Sequence, residues 1–167
     1  VDIGTRALDK LRAGVERALV DLGDGFLHHP SNAWLVEALR SGEISDRDYL
    51  RALLRLVYRL LFTFVAEDRA ALLVPDVTPD AKAIYANYFS TARLRRISRI
   101  RSGGPHPDLW QTQRLVLGAL GGDGLTELGL PALSGLFDPD PRAHKVAGQP
   151  GRDLLIGAEL SNHALLS

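Results

Sequence analysis

Cysteine and methionine are both absent from this chain of 167 residues. Without cysteine there are no disulfides, no thiolate metal ligands and no thiol nucleophile, and the default location is a reducing one, the cytoplasm. Long apolar runs are missing too. The stretch Leu60 to Ala66, interrupted only by Thr63, falls far short of the roughly 20 residues that a membrane helix needs, so no membrane partner is expected. Neither charge sign is in excess, with 20 basic and 20 acidic side chains. No global field draws in nucleic acid, and any such contact has to come from a local patch. Alternating patterns long enough for a sheet are lacking, as are internal repeats and low-complexity tracts. There is no phosphate-cradling glycine loop and no nucleophile elbow. Pro75, Asp76, Asp80 and Lys82 carry the letters of a nuclease signature, but the acids lie close together around two prolines with no strand between them, and the match is a coincidence.

What is present is helical periodicity, and the fold class is all-α: an irregular bundle of about six helices around a buried central helix, about 46–71. Ser45 followed three residues on by Asp48 has the form of a helix-start box. From Leu50 to Val65 nearly every position except Arg51, Arg55, Arg59 and Thr63 is apolar, so this helix is expected to bury most of its circumference. Before it, Leu8, Leu11, Val15, Ala18, Leu19 and Leu22 predict a helix from about Thr5 to Leu22 with Gly23 as its stop. Trp34, Leu35, Ala38 and Leu39 predict a short second helix ending near Gly42. Thr78 and Pro79 open a helix in which Ile84, Tyr85 and Tyr88 share a face, and Ser90 caps the next, STARLRRISRIR. Asp108 to Leu120 returns to helix, with Leu109, Trp110, Leu117 and Leu120 facing the core and GGDG at 121–124 ending it. The apolar segment 125–137 is broken by glycine and proline, and is expected to be irregular and pinned to the bundle by Leu130, Leu133 and Phe137. Residues 138–153 are expected to form a mobile surface loop. The chain starts at Val1, shows no secretory signal, and stops one turn into a new helical pattern at LSNHALLS. Residues 1–167 therefore read as a single helical domain or a fragment of a longer protein.

Chemistry-bearing residues are few. Arg47, Arg51, Arg55 and Arg59 recur every four residues along one side of the central helix, where guanidinium forks could grip phosphates. Long stems covering the bundle edge and pairing with acids such as Glu43, Asp48 and Glu67 are the stronger account of that row. Arg93, Arg95, Arg96, Arg99 and Arg101 have no acid among them and are the better nucleic-acid candidates, against the alternative of a solvated helix neutralised by acidic neighbours. Glu67 and Asp68 sit at the electrostatically poor end of the central helix, so each is expected to pair with an arginine. The adjacent His28 and His29 diverge, while His106, His144 and His163 have no ligand spacing, which argues against a metal site.

Several stretches together resemble one family. LLRLVYRLLFTFVAEDRAALL, preceded by FLHHPSNAWLVEALRSGEISDRDYLRALLRL and followed by LGLPALSGLFDPD and then LSNHALL, is similar in content and order to the helical region upstream of the catalytic domain in bacterial type IIG restriction-modification enzymes and related phage-defence adenine methyltransferases. The likeness covers most of residues 26–167. In ALSGLFD this chain has Leu133 and Ser134 where the family more often has asparagine and glycine. The resemblance implies a longer enzyme in which an adjoining methyltransferase domain binds S-adenosylmethionine and methylates adenine N6 in DNA, with a nuclease domain in some members. It assigns no catalytic, cofactor-binding or metal residue to this chain, since neither an Asn-Pro-Pro-Tyr motif nor a cofactor glycine motif occurs here. The expected function is thus a non-catalytic linker that contacts DNA. The alternative is a protein-interaction module that docks a partner subunit through exposed apolar residues of 125–137, Leu130 and Leu136 among them.

Overall fold

Local capping chemistry divides the chain into helices. The computed structural model describes residues 2–101, 103–140 and 153–167. They form α1 (Asp2–His28), α2 (Ala33–Ser41), α3 (Asp46–Asp68), α4 (Pro79–Ile84, continued as a π-helical turn over Tyr85–Phe89), α5 (Thr91–Ser98), α6 (Asp108–Leu120) and α7 (Asn162–Leu166). The architecture is all-α. Among the described residues there is no strand beyond an isolated antiparallel bridge between Leu125 and Leu130, and no helix is long and apolar enough to cross a membrane. Ser45 starts α3 as its sequence box predicts: Oγ accepts the Asp48 amide at 3.2 Å and donates to Asp48 Oδ2 at 2.7 Å. Thr78, Ser90 and Ser161 accept amides three residues on in the same way, opening α4, α5 and α7.

The first helix does not stop at Gly23. It continues to His28, where Pro30 ends it, because Gly23 and Gly25 serve close packing rather than a turn. A Cβ on Gly23 would sit 3.2 Å from Leu53 Cδ1, and one on Gly25 would sit 2.5 Å from Ala164 Cβ. Gly42, by contrast, is a left-handed stop at φ 78°, as expected. The amino-terminal half of α1, residues 4–14, lies exposed beyond the bundle.

Helix α3 lies at the centre, but it buries one broad face and not most of its circumference. Leu53, Leu56, Val57, Leu60 and Thr63 are buried, whereas Leu50, Tyr58, Phe62 and Val65 form an exposed apolar stripe on the opposite side. Most elements pack against the inner face; on the outer side Phe62 makes an edge-to-face contact with Phe137 at 5.3 Å and still keeps 44% of its surface exposed. Phe26 and Trp110, both fully buried, make an edge-to-face contact at 5.4 Å, and Trp110 Nε1 donates to the Ala158 carbonyl at 2.8 Å. Buried Asn32 fastens the carboxy-terminal segment to the end of α1: its Nδ2 donates to the carbonyls of Phe26 and Glu159, and its Oδ1 accepts the Glu159 amide at 2.8 Å.

Segment 125–137 is irregular, with short 3-10 turns over Thr126–Leu128 and Gly135–Phe137, and it turns inward. Leu128, Leu130 and Phe137 are buried, and Leu133 and Leu136 are half-buried. Leu130 is therefore core, which removes it as an exposed docking residue. Of the loop expected at 138–153, residues 141–152 lie outside the described residues; at its ends Asp138 and Asp153 bond arginines of α3, and the Asp140 amide donates to Asp153 Oδ1 at 2.8 Å.

Candidate nucleic-acid interface

The carboxy-terminal end of α3 positions the arginine-bearing helix. Two carboxylates there face a helix end whose own carbonyls repel them, so each needs a donor. Asp68 finds the arginine expected for it: Arg95 Nη2 donates to Oδ1 at 2.7 Å and Nη1 to Oδ2 at 3.3 Å. That hydrogen bond holds the Asp68 carboxyl below its ordinary pKa and the Arg95 guanidinium above its own. Arg95 also lies 5.4 Å from the Phe64 ring centroid.

Glu67 corrects the expectation of an arginine partner. Its two oxygens accept from Tyr85 Oη at 2.6 Å, Thr91 N at 2.9 Å, Thr91 Oγ1 at 2.6 Å and Ala92 N at 3.0 Å. The end of α3 thus caps the start of α5, and a negative group sits where the helix's exposed amides are positive. Burial first, then the Glu67 hydrogen bond and charge, push the Tyr85 phenol well above its ordinary pKa.

The five arginines fall into two sets. Arg95 is committed to Asp68, and Arg93 Nη1 donates to the Tyr88 carbonyl at 3.2 Å. Arg96, Arg99 and Arg101 are exposed, and among the described residues none forms an ion pair. The helix ends at Ser98, so Arg99 and Arg101 project from the turn beyond it, beside a helix terminus that favours cations.

Three members of the row on α3 follow the pairing account, while Arg47 is exposed and forms no ion pair among the described residues. Arg51 pairs with Asp48 at 2.9 Å. Arg59 is buried: Nε donates to the Leu136 carbonyl at 2.9 Å, Nη2 to the Asp138 carbonyl at 2.9 Å, and Nη1 to Asp153. Burial lowers the Arg59 pKa and Asp153 opposes that shift. Arg55 donates to the carbonyls of Gly135 and Asp138. Arg55 and Arg59 therefore staple Gly135, Leu136, Asp138 and Asp153 to the central helix and are not presented to a ligand. The acids suggested by sequence, Glu43 and Glu67, are not their partners.

Helix α4 splits the face that periodicity predicted. Tyr85 is buried, but Ile84 is 44% and Tyr88 61% exposed, and the π-helical turn over Tyr85–Phe89, wider than an α-turn, sets the Tyr88 ring apart from Tyr85. Nothing in the sequence marks that turn; the signal that could have exposed Tyr88 is its place next to an arginine-rich helix. His28, His29, His106 and His163 border one open depression with Asp21 and Asp24, yet among the described residues no three such side chains are placed to hold a metal. His144 lies outside the described residues.

Three glycines permit close approaches within the chain itself: a Cβ on Gly103 would meet Asn162 backbone at 2.7 Å, one on Gly121 the Phe137 carbonyl at 2.2 Å, and one on Gly124 the Leu130 carbonyl at 2.6 Å. No protein-family model, no curated protein and no solved structure matches the chain.

Proposed function

We propose that this chain is a non-catalytic helical module of a DNA adenine-N6 methyltransferase serving restriction-modification or phage defence, and that its task is to hold the DNA backbone at the exposed end of α5. The enzyme class rests on the family resemblance of residues 26–167. The DNA contact rests on one observation: Arg96, Arg99 and Arg101 stand exposed and without an ion-pair partner among the described residues, on a helix whose start is fixed by Glu67. Guanidinium groups held in this way release counterions when they meet phosphates. Binding of S-adenosylmethionine, and the chemistry, belong in this reading to an adjoining methyltransferase domain.

Fluorescence anisotropy with a labelled duplex, titrated between about 50 and 200 mM salt, tests the contact. Replacing Arg96 and Arg99 together with glutamate should weaken binding and flatten the salt dependence by about 0.9 in log–log slope for each phosphate no longer neutralised. Arg95 is left intact, because its loss would also free Asp68. An unchanged affinity and slope would remove the DNA contact, and heat released on titrating S-adenosylmethionine into the chain would count against the module being non-catalytic.

A second reading is favoured by the exposed stripe Leu50, Tyr58, Phe62 and Val65 on α3. It would dock a partner subunit, in place of the segment 125–137. Light scattering settles whether this stripe associates: Tyr58→Glu with Val65→Glu should abolish any association of the wild-type chain, and association that persists would rule the stripe out.

A further inference from the structure

The start of α5 has an aromatic neighbour. Ile84 and Tyr88 are four residues apart and both are exposed, at 44% and 61%, so they present one face of the α4 segment outward. The Tyr88 carbonyl accepts from Arg93 Nη1 at 3.2 Å, which seats the first turn of α5 against the residue that carries the ring. Arg96 stands three residues beyond Arg93 and shares its face, and Ile100, 75% exposed, follows in the turn after the helix.

An exposed tyrosine alone is ordinary. This one lies in a stretch from Ala81 to Pro107 that contains no aspartate or glutamate while it carries Lys82, Arg93, Arg95, Arg96, Arg99 and Arg101. The two acids that approach from α3 are consumed, Asp68 by Arg95 and Glu67 by the amides and hydroxyls it accepts from. Glu67 also fixes the geometry, because it holds Tyr85 of the turn that carries Tyr88 and the amides of Thr91 and Ala92 that begin the arginine helix. The segments that carry the ring and the guanidinium groups are held from a single point.

An exposed ring beside the start of an arginine-bearing helix suits one form of polynucleotide better than the other. Bases in a duplex are stacked on each other, so a surface tyrosine cannot reach a base face without breaking that stack. Bases in a single strand are free to stack on an aromatic side chain while flanking phosphates follow the cations. We infer that Tyr88 with Arg93, Arg96 and Arg99 forms a site for single-stranded or locally unpaired nucleic acid, the phenol ring stacking on a base and the arginines holding adjacent phosphates. The inference rests on the DNA-contact reading of the same surface and narrows its ligand.

The test is anisotropy at low salt with a labelled oligothymidine of about 15 nucleotides and a duplex of equal length. The wild-type chain should favour the single strand. Tyr88→Ala should weaken single-strand binding between about five- and a hundredfold and leave duplex binding unchanged, and Tyr88→Phe should restore wild-type affinity. The ring is exposed, and the far-ultraviolet dichroism of both variants should match wild type. Equal affinity of the wild type for both probes, or a Tyr88→Ala chain that binds the single strand as wild type does, would overturn the site. If the Tyr88 variant is silent while Arg96→Glu with Arg99→Glu weakens binding, the stacking site fails and the phosphate contact stands. If the arginine variant is silent too, both fail.

Discussion

Glu67 offers the sharpest test of how this bundle is held together. It sits at the end of one helix and accepts from four donors, two of them backbone amides at the start of another. Glu67→Ala removes every acceptor at once. The Thr91 and Tyr85 hydroxyls are buried, with 0% and 3% residue exposure, so water reaches them poorly and each orphaned hydroxyl costs about 1–3 kcal/mol. Loss of a helix cap adds about 1 kcal/mol. The sum is about 3–6 kcal/mol after allowance for non-additivity, set against a total of about 5–15 kcal/mol for a typical domain. With ~2–4 °C of Tm per kcal/mol in a chain of this size, the variant should melt about 6–24 °C lower. Glu67→Gln keeps the shape and one acceptor oxygen, and its amide can donate to a hydroxyl oxygen, so it should fall between the two. Asp68→Asn breaks a solvent-facing pair and should unfold close to wild type. Urea denaturation followed by tryptophan fluorescence and far-ultraviolet dichroism orders the four chains. A Glu67→Ala chain within about 1 kcal/mol of wild type would refute the claim that this carboxylate joins α3 to α5.

Two glycines in one helix should respond with opposite signs. Gly25→Ala forces a Cβ to within 2.8 Å of Leu160 Cδ1 and closer still to Ala164, and should cost about 1–3 kcal/mol. Gly14→Ala, where a Cβ meets nothing within 4 Å, should gain up to about 1 kcal/mol; thermal melts that move both variants the same way would contradict this packing. Alkali should unfold the protein through two phenols. Burial, with Asp24 for Tyr49 and Glu67 for Tyr85, holds both above the ordinary tyrosine value of 10.0. The folded state therefore keeps protons that the unfolded state gives up, so their contribution is complete below pH 10.0 and lost as pH rises beyond it. Tyr49→Phe and Tyr85→Phe should each flatten the fall in urea stability above that pH, and a slope identical to wild type would count against it.

Helix starts were legible because their causes are local. Ser45, Thr78 and Ser90 each have their amide partner three residues away, inside the reach of a sequence pattern. Helix ends were not, because a glycine has two uses. Gly42 stops α2 by adopting a left-handed backbone, while Gly23 stays helical so that Leu53 can approach it, and the two are distinguished only by what packs nearby. The same limit governs the exposed side of α3. Apolar content predicted burial all round, but burial depends on how many neighbours surround the helix, and Tyr58 and Val65 face outward because most other elements gather on the inner face.

The arginines make the point about the site most directly. Nine of them fall in two runs, four on α3 and five from Arg93 to Arg101, and in sequence all nine look alike. What separates a structural arginine from a free one is a carboxylate or carbonyl far away along the chain: Asp153 and the Leu136 carbonyl for Arg59, Asp68 for Arg95. Local acid content did forecast the outcome in one respect, since Arg51, the member of the α3 row with an acid three residues off, pairs with it, and the stretch without acids leaves three arginines exposed. A run of cations lacking nearby carboxylates is neutralised only if the fold brings acids to it. Here the fold brings two, spends one on Arg95 and the other on the amides of α5, and so uses its acids to orient the remaining positive charge instead of cancelling it.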